Sequence, residues 1–181
     1  MNSPLMSGVF KKGDYMKAAY EHKDNMTCIG YSTIIKPNEG YEKCPQFWDK
    51  EYAQRFGKLF ATGMPCNAVE EAVLKHHIGM FGLCIDGQTE FEYAIAGLYQ
   101  GGEVPEGLKL FELPVGEYAI FTGKGPLPKS LQDLNDEVME KWLPFEGKQK
   151  GAGNIMIEAY SPGNPNSEDY ECGIWIPVTN D

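Results

Sequence analysis

The 181-residue sequence predicts an α+β fold: two β-α-β-β units in tandem form one antiparallel sheet, with two helices on one face and a central ligand groove. Three observations predict it. Apolar runs rich in β-branched and aromatic residues mark strands. Two longer stretches carry apolar residues at helical spacing. The order strand, helix, strand, strand occurs twice, as a repeat of pattern without a repeat of residues. Units related by an approximate two-fold leave a groove between their helices, and such a groove is a natural ligand site.

The first half covers about residues 26–100. Met26 to Lys36 (MTCIGYSTIIK) reads as a strand ended by Pro37, and Asn38-Glu39-Gly40 as a turn. From Pro45, which suits a first helical turn, Trp48, Tyr52, Phe56, Leu59 and Phe60 form a helical stripe that stops at Thr62-Gly63-Met64-Pro65. His77 to Asp86 and Glu90 to Gln100 are strands, with Asp86-Gly87 as a hairpin signal between them. Leu108 to Leu113 is a short edge strand bounded by Pro114.

The second half covers about residues 108–179. Gly116 to Lys124 is a strand, and Gly125-Pro126-Leu127-Pro128 leads into a helix. The stripe of that helix is Leu131, Leu134, Val138, Met139 and Trp142, and Pro144 ends it. Asn154 to Tyr160 and Tyr170 to Val178 are the last strands, linked by the Pro/Gly-rich Ser161 to Asn166. Residues 1–25 form an N-terminal extension with no assigned element, and residues 26–181 form a single domain.

A hydrophobic fraction of 42% and a charged fraction of 23% are those of an ordinary soluble globule. No apolar run is long enough to span a membrane, and no secretion signal opens the chain, so a cytoplasmic location is expected. The net charge of −10 disfavours nucleic acid and favours cationic or neutral partners. The five cysteines include no Cys-x-x-Cys pair, and Cys28, Cys84 and Cys172 fall in strands, where free thiols pack as small hydrophobes. With His22, His76 and His77 they make no zinc pattern, so neither metal nor cofactor is implied. Phosphate-loop, dinucleotide and Gly-x-Ser-x-Gly signatures are absent. The residues before Met26 are too few for a helix-turn-helix, so any DNA-binding partner is expected on another chain.

One residue interrupts this plain pattern. In Asn154-Ile-Met-Ile-Glu-Ala-Tyr160, strand alternation puts Ile155, Ile157 and Ala159 on one face and Met156, Glu158 and Tyr160 on the other. An acid between Met and Tyr either meets water on a wet sheet face or is buried for a purpose, because burial without a partner is costly. The pattern alone leaves both readings open.

Glu112-Leu-Pro-Val-Gly-Glu-Tyr-Ala-Ile-Phe121, followed by Thr122-Gly-Lys-Gly-Pro-Leu-Pro128, resembles the signature of GyrI-like small-molecule-binding domains, the AraC-type effector-binding superfamily. Phe47-Trp48, Phe91-Glu92-Tyr93 to Gly97, Trp142-Leu143-Pro144, Ile157 to Tyr160 and Ile174 to Val178 keep that family's order, over about Thr27 to Thr179. The resemblance implies the duplicated architecture and a groove for drug-like, often cationic, amphipathic molecules. It implies that Glu158 is the central pocket carboxylate. Trp48, Phe47, Tyr93, Tyr118 and Tyr160 are the candidate aromatic partners, each of which also reads as ordinary core or half-buried strand. Trp142 and Trp175 read as packing residues.

The function implied is a stand-alone binding module for an amphipathic, cationic small molecule. Two alternatives come with the family. One is a hydrolase of the cyclopropanoid cyclopropyl type, in which Glu158 would be catalytic by activating water. The other is a protein-binding gyrase inhibitor, with gyrase or a regulator as partner on another chain.

Overall fold

The computed structural model describes residues 18–143, 149–150 and 154–179. Nine strands are described: β1 Ala19–Lys23, β2 Met26–Ile35, β3 Phe81–Asp86, β4 Phe91–Leu98, β5 Lys109–Leu113, β6 Gly116–Lys124, β7 Gln149–Lys150, β8 Ile155–Tyr160 and β9 Glu171–Thr179. Helices α1 Gly40–Trp48, α2 Gly57–Thr62 and α3 Ala68–Lys75 lie between β2 and β3, and α4 Lys129–Glu137 follows β6. Wider π-helical turns continue α1 through Asp49–Gln54 and α4 through Val138–Trp142.

The sheet is antiparallel, in the order β1-β6-β9-β8-β3-β4-β2-β5, with β7 beside β9. Inside the edge strands, β2, β4 and β3 mirror β6, β9 and β8, so the order reads alike from both ends; β5, read from the sequence with the second half, pairs with β2 of the first, and β1, in the extension left without an element, pairs with β6. The halves meet where β8 pairs with β3, with Gly82 opposite Glu158 and Leu83 opposite Ile157. The duplicated β-α-β-β pattern of the sequence is therefore the plan of the sheet.

Each face of the sheet has its own core. Leu131, Leu134, Val138 and Trp142 from α4 and its extension pack on Phe121, Ile174 and Ile176. Phe56, Leu59, Ala72 and Val73 from the first half's helical region pack on Ile29, Tyr31 and Ile95. Alternation sends Cys28, Leu83, Ala94, Ala96, Ile155 and Ile157 to the opposite face, where Phe111, Leu113 and Tyr118 join them as the sheet curls.

The sequence reading is corrected in several places. The first helix starts at Gly40 rather than Pro45, which lies inside it. Its stripe then splits: Phe56 and Leu59 enter the core, while Phe60 stays exposed, because the π turn and the break at Phe56 change the helical phase. The strand expected from His77 begins at Phe81, because His77 and Gly79 take positive φ in a turn. Helix α3 was not anticipated, although Asn67 accepts a bond from Glu70 N at 2.9 Å in a legible N-cap. The predicted stop at Pro144 lies outside the described residues. Among the described residues no helix is long and apolar enough to cross a membrane.

Trp142 is fully buried, edge-on to Phe121 with ring centroids 4.8 Å apart. Trp142→Ala is expected to cost about 3–5 kcal/mol in urea unfolding, through transfer and cavity terms together. A mutant of wild-type stability would show that this ring is not part of the core.

Candidate functional site

Between the helices of the two halves lies a cavity of about 1590 Å³, floored by β3, β4 and β8. Its depth is set by the β3–β8 junction. Glu158, on the helix-facing side of β8, is only 9% exposed. Gly82, its partner across the strands, has no side chain to compete for that space: a Cβ there would fall 2.3 Å from Glu158 Oε1 and 2.8 Å from the Tyr93 hydroxyl oxygen. The glycine lets groups on β4 and β8 meet over the strand between them.

They meet in a short relay. Trp48 Nε1 donates to the Tyr93 hydroxyl at 2.7 Å, and that hydroxyl donates to Glu158 Oε1 at 2.5 Å. The Tyr160 hydroxyl donates to the same oxygen at 2.9 Å. The Trp48 and Tyr160 rings pack edge to face, 4.9 Å apart. Burial pushes the Glu158 carboxyl above its ordinary 4.5, and the two tyrosine hydrogen bonds draw it partly back. Burial, and then the nearby Glu158, hold both hydroxyls far above their usual range, so they remain donors. Cys44 faces the same cavity, and burial with Glu158 beside it raises its thiol to about 12, which keeps it protonated and weakly nucleophilic.

Four of the six expected residues thus come together: Glu158, Trp48, Tyr93 and Tyr160. The other two do not. Phe47 faces away from the cavity, packed edge-on against Tyr31 and Tyr93 as a buttress. Tyr118 stands opposite Pro177, two residues from the Ile120–Trp175 pair, and so lies on the face of the sheet away from Glu158. It is fully buried there, with its hydroxyl donating to Pro114 O at 2.7 Å. Trp175 shares that face, beside Phe81 and under the Lys23 ammonium.

Other residues of the site were missed by the sequence reading. Tyr52, Cys44, Cys84, Met139, Met156 and Tyr170 line the cavity, as do the carboxylates Asp49 and Asp86; among the described residues no Lys or Arg does. Gly82 carried the clearest available signal, as an isolated glycine inside an apolar strand. One bridge between the halves is also visible. Pro45 has no N–H for the carbonyl of Tyr41 four residues back, and Gln132 Nε2 from α4 donates to that carbonyl at 3.1 Å. The Tyr41 hydroxyl donates to Asp136 and accepts from Asn135 Nδ2 at 2.8 Å.

Comparison with known proteins places the chain and its fold. A family model for Cass2, the integron-associated effector-binding protein, matches residues 20–178. The chain belongs to that family. Membership accords with the GyrI-like resemblance and makes this a small-molecule effector-binding domain. Transcriptional regulator BrlR of Pseudomonas aeruginosa is 31% identical over 106 residues, 54% of this chain but only 37% of BrlR. The same fold occurs in SAV2435 bound to tetraphenylphosphonium (20% identity, TM-score 0.72, covering 91% of this chain and 95% of that one). It occurs also in the Vibrio cholerae integron cassette protein Cass2 (17% identity, TM-score 0.61, covering 91% and 98%).

Two measurements follow from the site. Gly82→Ala is expected to displace the carboxylate and break the Tyr93–Glu158 bond, costing about 1–3 kcal/mol. Tyr93→Phe should then add little in the Gly82→Ala background although it destabilises wild type; fully additive effects in urea unfolding would show that the two positions are not coupled. The second concerns pH. The folded chain holds the Glu158 proton more tightly than the unfolded chain does. This favours folding below pH 4.5, and the contribution is lost as pH rises through the raised folded-state value. Wild type should therefore gain stability relative to Glu158→Gln as pH falls from neutral toward 4.5, and a pH-independent difference would count against a buried, shifted carboxyl.

Proposed function

We propose that the groove binds an amphipathic, lipophilic cation, with Glu158 as its counter-charge and Trp48, Tyr93 and Tyr160 as the surrounding aromatic surface. The observation that carries this reading is the composition of the cavity wall. Its acids are Asp49, Asp86 and Glu158, the most buried of them is ringed by aromatic side chains, and no Lys or Arg faces it among the described residues. A lipophilic cation gains by burying its apolar surface there. The low effective dielectric strengthens its attraction to the carboxylate. Ring faces add roughly 0.5–2 kcal/mol each through cation–π attraction.

The likeness of fold to a protein bound to tetraphenylphosphonium supports the choice of ligand class. The partial likeness to a transcriptional regulator supports a role as the ligand-sensing part of a regulatory system. Binding and the pH behaviour of the site are linked. A cation prefers the ionised carboxylate, so affinity rises with pH through the folded-state pKa of Glu158, and below it binding expels the proton.

Calorimetric titration with tetraphenylphosphonium and with neutral triphenylphosphine oxide tests the proposal. Glu158→Gln is expected to weaken the cation by roughly 1–3 kcal/mol and the neutral compound much less. Mass spectrometry should recover an electrophilic, cyclopropane-bearing ligand unchanged, since the enzyme alternative requires water to add across such a strained ring. Equal affinity of both proteins for the cation would remove Glu158 from the binding site, and a hydrated product would replace a binding module with an enzyme.

A further inference from the structure

We propose that the preferred ligand is elongated, a cationic head with a long apolar tail, and that the tail leaves the Glu158 chamber along a ladder of aromatic rings to an outer shelf formed by Phe60 and Leu74. The proposal rests on the reading of Glu158 as counter-charge and adds the shape and direction of what it holds. From the carboxylate outward, Tyr160 meets Trp48 at 4.9 Å, Trp48 meets Tyr52 at 5.2 Å and Tyr52 meets Phe60 at 5.1 Å. All four rings line the one cavity, so its apolar wall runs unbroken from the buried acid to the mouth.

The end of the ladder is apolar where the fold does not require it. Phe60 on α2 is 45% exposed and Leu74 on α3 is 39% exposed, and both face the cavity rather than the sheet. Ile78 and Val73 lie between shelf and core. Tyr52 forms the sill: its hydroxyl leans over the 76–80 turn so closely that a Cβ at Gly79 would fall 2.1 Å from it. The cavity, about 1590 Å³, is larger than the roughly 300–1,000 Å³ of a typical small-molecule pocket. A compact ion seated at Glu158 leaves the shelf wet. An alkyl tail covers the rings and both exposed side chains, and the charge of its head matches the acidic chamber.

Alkyltrimethylammonium salts from butyl to hexadecyl, titrated below their micelle concentrations, test this directly. Affinity should climb by roughly threefold to fourfold for each methylene that becomes buried. Phe60→Ser and Leu74→Ser, both at partly exposed positions, should level the upper part of the series so that its longest members bind alike. A wild-type series flat beyond the shortest members, or a climb untouched by both substitutions, overturns the shelf. Glu158→Gln should lower every member by a similar factor. If that factor vanishes while the climb remains, the counter-charge reading fails and the shelf stands; if it persists over a flat series, the reverse holds.

Discussion

The site depends on one exchange of volume: the carboxyl of Glu158 occupies space that a side chain on Gly82 would fill. Burying an acid in the middle of a sheet face is expensive, and this arrangement limits the expense in two ways. It places Oε1 within reach of two tyrosine hydroxyls from different strands, and it does so at the seam of the two halves, where the helices leave the sheet uncovered. A side chain at position 82 would separate β4 from β8 on this face. The relay from Trp48 through Tyr93 would then end short of the acid.

The two halves contribute unequally to that seam. The first half supplies Trp48, Tyr93, Tyr52 and Gly82, and the second supplies the carboxylate and Tyr160. Their helices are held together across the groove by polar contacts of Tyr41 with α4, one of which exists because Pro45 leaves a carbonyl unsatisfied within α1. A residue that reads in the sequence as a helix start is in the structure the reason a helix can bond sideways. Gln132 takes the place of a backbone donor.

Much of the architecture was legible because it rests on period and punctuation. Strand alternation placed Glu158 with Met156 and Tyr160 and opposite Ile155 and Ile157, and the second helical stripe placed Trp142 in the core. What failed to read was anything set by register. Tyr118 lies in a strand that pairs with β9 so as to turn its ring away from the groove, and nothing local to its sequence states that pairing. Phe47 and Trp48 are neighbours on one helix, yet only Trp48 faces the cavity, because adjacent helical positions point about 100° apart. Gly82 was overlooked for the opposite reason: its signal was present, but the meaning of an absent side chain depends on which partners cross above it. Helix α3 is short, and its cap Asn67 falls just beyond the helix end read at Thr62 to Pro65, in a stretch to which the sequence reading assigned no element.

For the cation-binding role proposed for Glu158, the tyrosine hydroxyls have a consequence for selectivity. Two donors already fill one oxygen of Glu158, so the protein supplies part of the hydration shell that the acid lost on burial. A carboxylate solvated in this way does not need directional bonds from its guest. Centres that carry positive charge without any N–H or O–H, such as phosphonium and quaternary ammonium, leave no donor unmatched and no acceptor newly stranded beside it. Under the proposed reading, recognition would rest on net charge and apolar contact, both tolerant of orientation, so that differently shaped cations would fit one cradle without the chain having to reshape itself for each.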